Sequence, residues 1–218
     1  RKSYMVFSNN LLLGAVSAAA SDYLIEQSLL FNDDDSAYLN RTPSVAGNRK
    51  TWTFSAWFKP TFSGATAQIF MAGADTSNNT RIQYQSTGTI QYVHADGGSV
   101  TDQLQTSAVL RDPSAWYHLV VSVDTTQSTD TNRVKIYING TEQSFQTTNY
   151  PTQNFDTDVN STSVHNIGRI TGGSNYFDGL MALPILVDGS ALAPTAFGET
   201  DDDGFWNPIE FEGEYNIA

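Results

Sequence analysis

The sequence predicts an all-β domain, a two-sheet antiparallel β-sandwich of the jelly-roll kind with an N-terminal arm. Three observations predict it. Apolar side chains recur with period two in short runs, so that each run has one greasy face. Asx-Gly pairs punctuate those runs, as hairpins require. No heptad, internal repeat or long helical periodicity runs through the 218 residues. The clearest single stretch is Asn175–Pro194, where Asp178-Gly179 launches an apolar strand and Asp188-Gly189 ends it.

Taken in order, residues 1–27 are of mixed character, and only Ser8–Ala20 has any helix potential. Arg1, Lys2 and the apolar run Leu11–Val16 imitate a secretion signal only loosely, because Asn9-Asn10 sit directly before a short run. The simpler reading is an arm docking on a neighbour, with Leu11, Leu12, Leu13 and Val16 as its oligomer contacts. From Ser28 onward the chain reads as strands and turns. Trp52, Phe54, Ala56 and Phe58 alternate with Thr53, Ser55, Trp57 and Lys59, and Pro60 stops that strand. Shorter strands follow at Gln68–Ala72, Thr80–Gln85, Thr89–His94 and Val100–Gln105. Trp116–Asp124 is a long apolar strand. Arg133–Asn139 alternates Val134, Ile136 and Ile138 with Lys135 and Tyr137. Asn139-Gly140 is the strongest hairpin signal, with Glu142–Gln146 as the return strand. Residues 147–162, rich in Thr, Asn and Asp, read as a long surface loop. Ser163–Gly168 and Phe177–Val187 are the last clear strands, and Pro184 requires an edge or a bulge in the latter. The domains expected are the arm at 1–27, the sandwich at 28–198 and an acidic extension at 199–218.

Composition narrows the chemistry. Eleven Lys and Arg against 23 Asp and Glu give a net charge of −12, which disfavours nucleic acid as a partner. The absence of cysteine excludes disulfides, thiolate metal sites and cysteine nucleophiles, and favours a bacterial, viral or cytosol-assembled origin. No run approaches the roughly 20 apolar residues of a membrane span, so no membrane insertion is expected. Four Trp, ten Tyr and twelve Phe supply ample apolar surface for a core.

Three ordered segments resemble the laminin-G-like branch of the concanavalin A-like lectin/glucanase superfamily. They are Ser28–Asn32 with Ala37–Leu39 and Trp52–Pro60; Trp116–Asp124 with Val134–Gly140; and His165–Gly168 with Tyr176–Gly179. The flanks narrow the likeness. Phe31–Pro43, Gly47–Trp52, Ala196–Asp201 and Met5–Leu12 resemble tail-fibre and virion structural proteins of tailed bacteriophages. One departure is Ala182-Leu183-Pro184, where the family usually carries an acidic residue. The resemblance implies a virion structural protein, a tail fibre or appendage, assembled in the host cytoplasm. Its partners would be further copies of itself, other virion proteins and a cell-surface glycan. The alternative is a carbohydrate-binding module of a secreted or surface protein, and a glycoside hydrolase comes last.

The candidate chemistry favours binding over catalysis. A retaining glycosidase needs two carboxylates about 5 Å apart. The nearest imitation is Glu210, Glu212 and Glu214, which would share one side of a strand but lie at the chain end. His94, His118 and His165 fall in separate strands without a nucleophile or metal-ligand spacing. No enzyme activity is therefore expected. Glycan binding needs an exposed aromatic platform with polar partners: Tyr84, Tyr92 and Tyr176 with Asn78 are the residues assigned, with Trp57 a further candidate aromatic and Asn79 and Gln91 nearby in sequence. No cofactor is required, but the resemblance makes calcium at the sandwich rim a candidate, with Asp33, Asp35 and Asp178 as hard oxygen ligands.

Overall fold

The structure, a computed structural model, describes residues 23–61, 64–173 and 175–214. The assigned contacts of Leu11, Leu12, Leu13 and Val16 lie outside the described residues. Fifteen strands are numbered in chain order: β1 Leu29–Phe31, β2 Leu39–Arg41, β3 Thr51–Pro60, β4 Ala67–Gly73, β5 Asn79–Tyr84, β6 Ile90–Asp96, β7 Ser99–Thr106, β8 Tyr117–Asp124, β9 Val134–Ile138, β10 Thr141–Glu142, β11 Phe145–Asn149, β12 His165–Ile167, β13 Gly179–Asp188, β14 Gly198–Thr200 and β15 Trp206–Pro208. They form a six-stranded sheet in the order β1-β13-β3-β8-β9-β10 and a seven-stranded sheet in the order β11-β7-β6-β5-β4-β12-β2, with β14-β15 as a separate hairpin. All pairings are antiparallel. The two large sheets stack into the predicted all-β sandwich.

The core sits between the sheets. Trp52, Phe54 and Phe58 of β3 face Ile69, Phe70, Ile82, Tyr84 and Tyr92 of the opposite layer. Phe54 stacks on Phe70 at 4.7 Å across the gap. Phe177 meets Phe31 and Phe58 edge-on at 5.8 and 6.4 Å, sealing one end. Apolar burial of this extent is the main force holding the layers together.

Turn chemistry falls where the sequence places it. Asn139 and Gly140 take φ of 47° and 75°, the left-handed pair of a tight hairpin joining β9 to β10. A Cβ on Gly140 would lie 2.5 Å from the Trp206 ring, so the turn also seats that indole. Pro184 lies in a bulge of β13, between Ala182 opposite Trp57 and Ile185 opposite Ser55, with Leu183 at φ 46°.

Two expectations are corrected. Glu142–Gln146 is no single return strand: Thr141–Glu142 pairs β9, whereas Phe145–Asn149 pairs β7 of the other sheet. The chain therefore changes layers within a few residues of the hairpin. The segment 147–162 is no simple surface loop either. Its first residues belong to β11, Val159 is in the core, and Thr157 accepts a hydrogen bond from Trp52 Nε1 at 3.0 Å. Its polar composition serves buried hydrogen bonding, which composition alone does not distinguish from solvation.

The C-terminal segment explains why β3 is buried on both faces. Phe197, Leu192 and Phe211 pack with Val120 and Val187 on the outer side of the six-stranded sheet. Thr53 Oγ1 donates to Ser190 O at 2.7 Å and accepts from Leu192 N–H at 2.8 Å. Trp206 Nε1–H donates to His118 Nδ1 at 2.9 Å.

Candidate functional site

Two features stand out, a slot at the sandwich edge and a polar sheet face. The slot, with a volume of 350 Å³, opens between the β2–β12 edge and the bulged part of β13. Leu39, Val45, Phe70, Ile167, Pro184 and Ile185 give it apolar walls. Of its polar groups, Asp188, Asn160 and His165 are committed to holding the surrounding loops. Asp188 Oδ1 accepts from Asn48 N–H at 2.7 Å and from Asn160 Nδ2 at 2.9 Å. His165 Nε2 accepts from Asn160 N–H, so its Nδ1 carries the proton and donates to Ser163 O. Burial pushes the His165 imidazole below its usual pKa, in keeping with that neutral form.

The outward face of the seven-stranded sheet is of another kind. Alternation turns Ile82, Tyr84, Ile90, Tyr92 and Leu104 inward and their neighbours outward. Register then assembles two cross-strand rungs. One runs Asn40, Asn166, Met71, Arg81, Val93, Gln103 and Asn149. The other runs Gln68, Gln83, Gln91, Gln105 and Thr147.

In the second rung the amides form a directed chain. Gln68 Nε2 donates to Gln83 Oε1 at 3.0 Å, Gln83 Nε2 donates to Gln91 Oε1, and Gln91 Nε2 donates to Gln105 Oε1 at 3.4 Å. Gln105 Nε2 ends it on Thr89 Oγ1 at 2.9 Å. Such ladders fix every amide orientation and polarise one another. Arg81 joins the two rungs, since its Nε donates to Gln83 Oε1 at 3.1 Å and its Nη1 to Asn79 Oδ1 at 2.7 Å. Gln68 Oε1 is buried and accepts no hydrogen bond. Arg81, Gln103 and Gln105 remain partly exposed. Gln68, Gln83 and Gln91 are buried, so the donors and acceptors open to a ligand are those of Arg81, Gln103 and Gln105, held by the buried amides behind them, and neither rung carries a carboxylate.

The residues assigned from sequence fare unevenly. Tyr84 and Tyr92 are 3% and 0% exposed, so the expected platform is corrected at both. Their strands have the opposite phase, with the tyrosines inward and the glutamines outward. Tyr84 OH donates to Leu110 O at 3.1 Å. Tyr176 is half-buried in the loop before β13, and Asn78 is half-buried in the turn before β5. Asn78 Nδ2 donates to Asp75 Oδ1 at 3.2 Å, shaping that turn. Asn79 and Gln91 do belong to the face. Arg81, Gln83, Gln103 and Gln105 were not singled out by sequence. Their signal is the recurrence of Gln at the polar phase of successive strands.

For calcium, burial and then the neighbouring Asp33 and Asp34 charges raise the Asp178 carboxyl above its usual range, so those carboxylates share one rim. Asp35 Oδ2 is engaged by Asn32 Nδ2 at 2.7 Å. Among the described residues no group of three or more His, Asp or Glu side chains could hold a metal ion. The expected ligand set does not converge. Glu210, Glu212 and Glu214 lie outside any strand, so their expected alternation is corrected too. Among the described residues no helix is long and apolar enough to cross a membrane.

A family model described as the concanavalin A-like lectin/glucanases superfamily matches residues 31–184. The chain belongs to that superfamily. Two solved structures share the superfamily's sandwich. Mouse laminin alpha1 domains LG4-5 align with 90% of this chain and 48% of that one, at 13% identity and a TM-score of 0.53. The heptameric SAP-like pentraxin of Limulus polyphemus aligns with 72% of this chain and 71% of that one, at 17% identity and a TM-score of 0.51. At such identities the likeness is one of fold. None of the curated proteins compared matches the chain.

Proposed function

We propose that this lectin-superfamily sandwich is a carbohydrate-binding module, and that the outward face of β4–β7 is its binding surface. The observation that carries the reading is the amide chain from Gln68 to Gln105, joined to Asn79 through Arg81. Sugar hydroxyls both donate and accept, and rigid amides answer them in both senses. Pre-oriented side chains lose little entropy on binding, which favours affinity on a shallow surface. A face of amides and one guanidinium binds but does not exchange protons, which separates this reading from glycoside hydrolysis. A glycan array followed by calorimetry tests it. Gln103→Ala combined with Gln105→Ala is expected to lower affinity about tenfold, the worth of one or two hydrogen bonds, and to cost about 1–2 kcal/mol of stability through the stranded Gln91 and Thr89 partners, with thermal unfolding confirming that the variant stays folded. Unchanged affinity in the double variant, or no glycan bound by the wild type, overturns the reading.

The setting we propose is a virion appendage, on the resemblance of Phe31–Pro43 and the other flanks alone. There, self-association through residues 1–27 multiplies weak glycan contacts. Sedimentation of the full chain is expected to show an oligomer that Leu12→Glu dissociates. A monomer at high concentration contradicts this setting and leaves the binding surface untouched.

A further inference from the structure

Arg81 differs in its setting from the other arginines whose contacts hold the fold together. Lys135 Nζ pairs with Glu142 at 3.1 Å, and Arg49 lies 4.0 Å from Asp158 while donating to Thr157 O. Arg133 donates to the carbonyls of Gln127, Ser128 and Pro151. Arg169 lies over the Tyr38 ring at 3.5 Å. Arg81 likewise has only neutral acceptors, both amide oxygens, but it is half-buried on β5 at the centre of the seven-stranded sheet rather than at an edge or in a loop. A guanidinium has five N–H donors, so three remain uncommitted. A half-buried cation without a counter-charge is unfavourable unless something supplies one. Burial alone lowers the Arg81 pKa, and no neighbouring carboxylate opposes it. This is notable in a chain with 23 acidic residues against 11 basic ones.

Resting on the glycan-binding reading, we infer that Arg81 selects saccharides carrying a carboxylate, which its free N–H edge grips while the flanking glutamines contact the sugar hydroxyls. The fork geometry suits a planar carboxylate, and two parallel charge-assisted hydrogen bonds are stronger than neutral ones. Asn79 and Gln83 hold the guanidinium plane fixed, so the donors are oriented before the ligand arrives. The net charge of −12 opposes acidic ligands at long range. At 0.1 M salt that repulsion is screened beyond about 10 Å, whereas a direct contact is not. Contact with Arg81 therefore decides selectivity, and the acidic surface lowers capture of polyanions that lack the sugar.

The test is an array of uronic and sialic acid glycans, each beside its carboxyl-reduced form and a sulfated neutral glycan, with calorimetry on the best pair. Wild type is expected to prefer a carboxylated form at least tenfold over its reduced partner and over the sulfated glycan. Arg81→Gln is expected to abolish the preference, with affinity for the carboxylated form falling at least tenfold more than affinity for the reduced one. Arg81→Lys, which keeps charge but loses the fork, is expected to retain only part of it. Thermal unfolding of both variants separates loss of selectivity from loss of fold. Equal wild-type affinity for the paired forms, a preference for sulfate, or a preference that persists in Arg81→Gln overturns the assignment while glycan binding stands. Absence of binding to every glycan overturns both.

Discussion

Acidification from pH 7 to pH 4 is expected to remove about 3 kcal/mol of stability through His118 alone. Burial holds its imidazole down at about 3, against an ordinary value of 6.5. The ring is 1% exposed and stacks on Trp57 at 4.8 Å and on Trp206 at 5.9 Å. Trp206 Nε1–H can only donate, so His118 Nδ1 must accept, and Nε2–H donates to Ser55 Oγ at 2.9 Å. Both nitrogens are occupied in the neutral ring, and protonation would break the Trp206 bond. The folded value lies below the unfolded one, so the stability is fully present above pH 6.5. It is lost as pH falls toward 3, because the unfolded chain takes up the proton first. His165 acts in the same sense, and Asp102, whose carboxyl burial raises, acts in the opposite one. Carboxylates held low by hydrogen bonds, such as Asp75 and Asp124, begin to lose their contribution only below about pH 5, equally in wild type and variant. Denaturant unfolding of wild type and His118→Gln from pH 4 to pH 7.5 isolates the effect. The stability gap between them should narrow by about 3 kcal/mol on acidification. A gap independent of pH contradicts the neutral, buried assignment.

Trp52→Ala is expected to lower unfolding free energy by about 4 kcal/mol, the upper part of the range for large-to-small core changes. Trp52 is the largest fully buried side chain, placed by β3 in the middle of the inter-sheet core. Its indole also ties β3 to the segment 150–164 through Thr157 Oγ1, which in turn donates to Arg49 O at 2.7 Å. Deleting the ring leaves a cavity and frees that segment from the core. Trp52→Phe fills most of the space but loses the N–H donor, so about 1–2 kcal/mol is expected. Urea titration reads both as a shift in midpoint at nearly constant slope. A loss under 1 kcal/mol for the alanine variant contradicts this placement of the core.

Local rules carried the fold. The alternation in β3, the Asn139-Gly140 hairpin and the Pro184 bulge are each fixed by neighbouring residues, and each is legible in the chain. The layer change at β10–β11 is not, because it depends on which distant strand offers an open edge. For the same reason the docking of Phe197, Leu192 and Phe211 on the outer sheet face had no local signature. The site was legible only in part. Aromatics suggested a platform, but Tyr84 and Tyr92 share the phase of the core, and one step of register exchanges them for Gln83 and Gln91. Asn79 and Gln91 are legible from their amide chemistry beside the aromatics. Arg81 is not, since an arginine gains its meaning here from having Met71 and Val93 rather than an acid across the strands, a relation only register reveals.

The most direct test of the proposed surface is backbone amide chemical-shift mapping while a bound glycan is titrated. Perturbations should centre on Arg81, Gln83, Gln91, Gln103 and Gln105 and fade toward the core-facing residues between them. Shifts centred instead on Leu39, Val45 and Ile185, around the slot beside the β13 bulge, would contradict it.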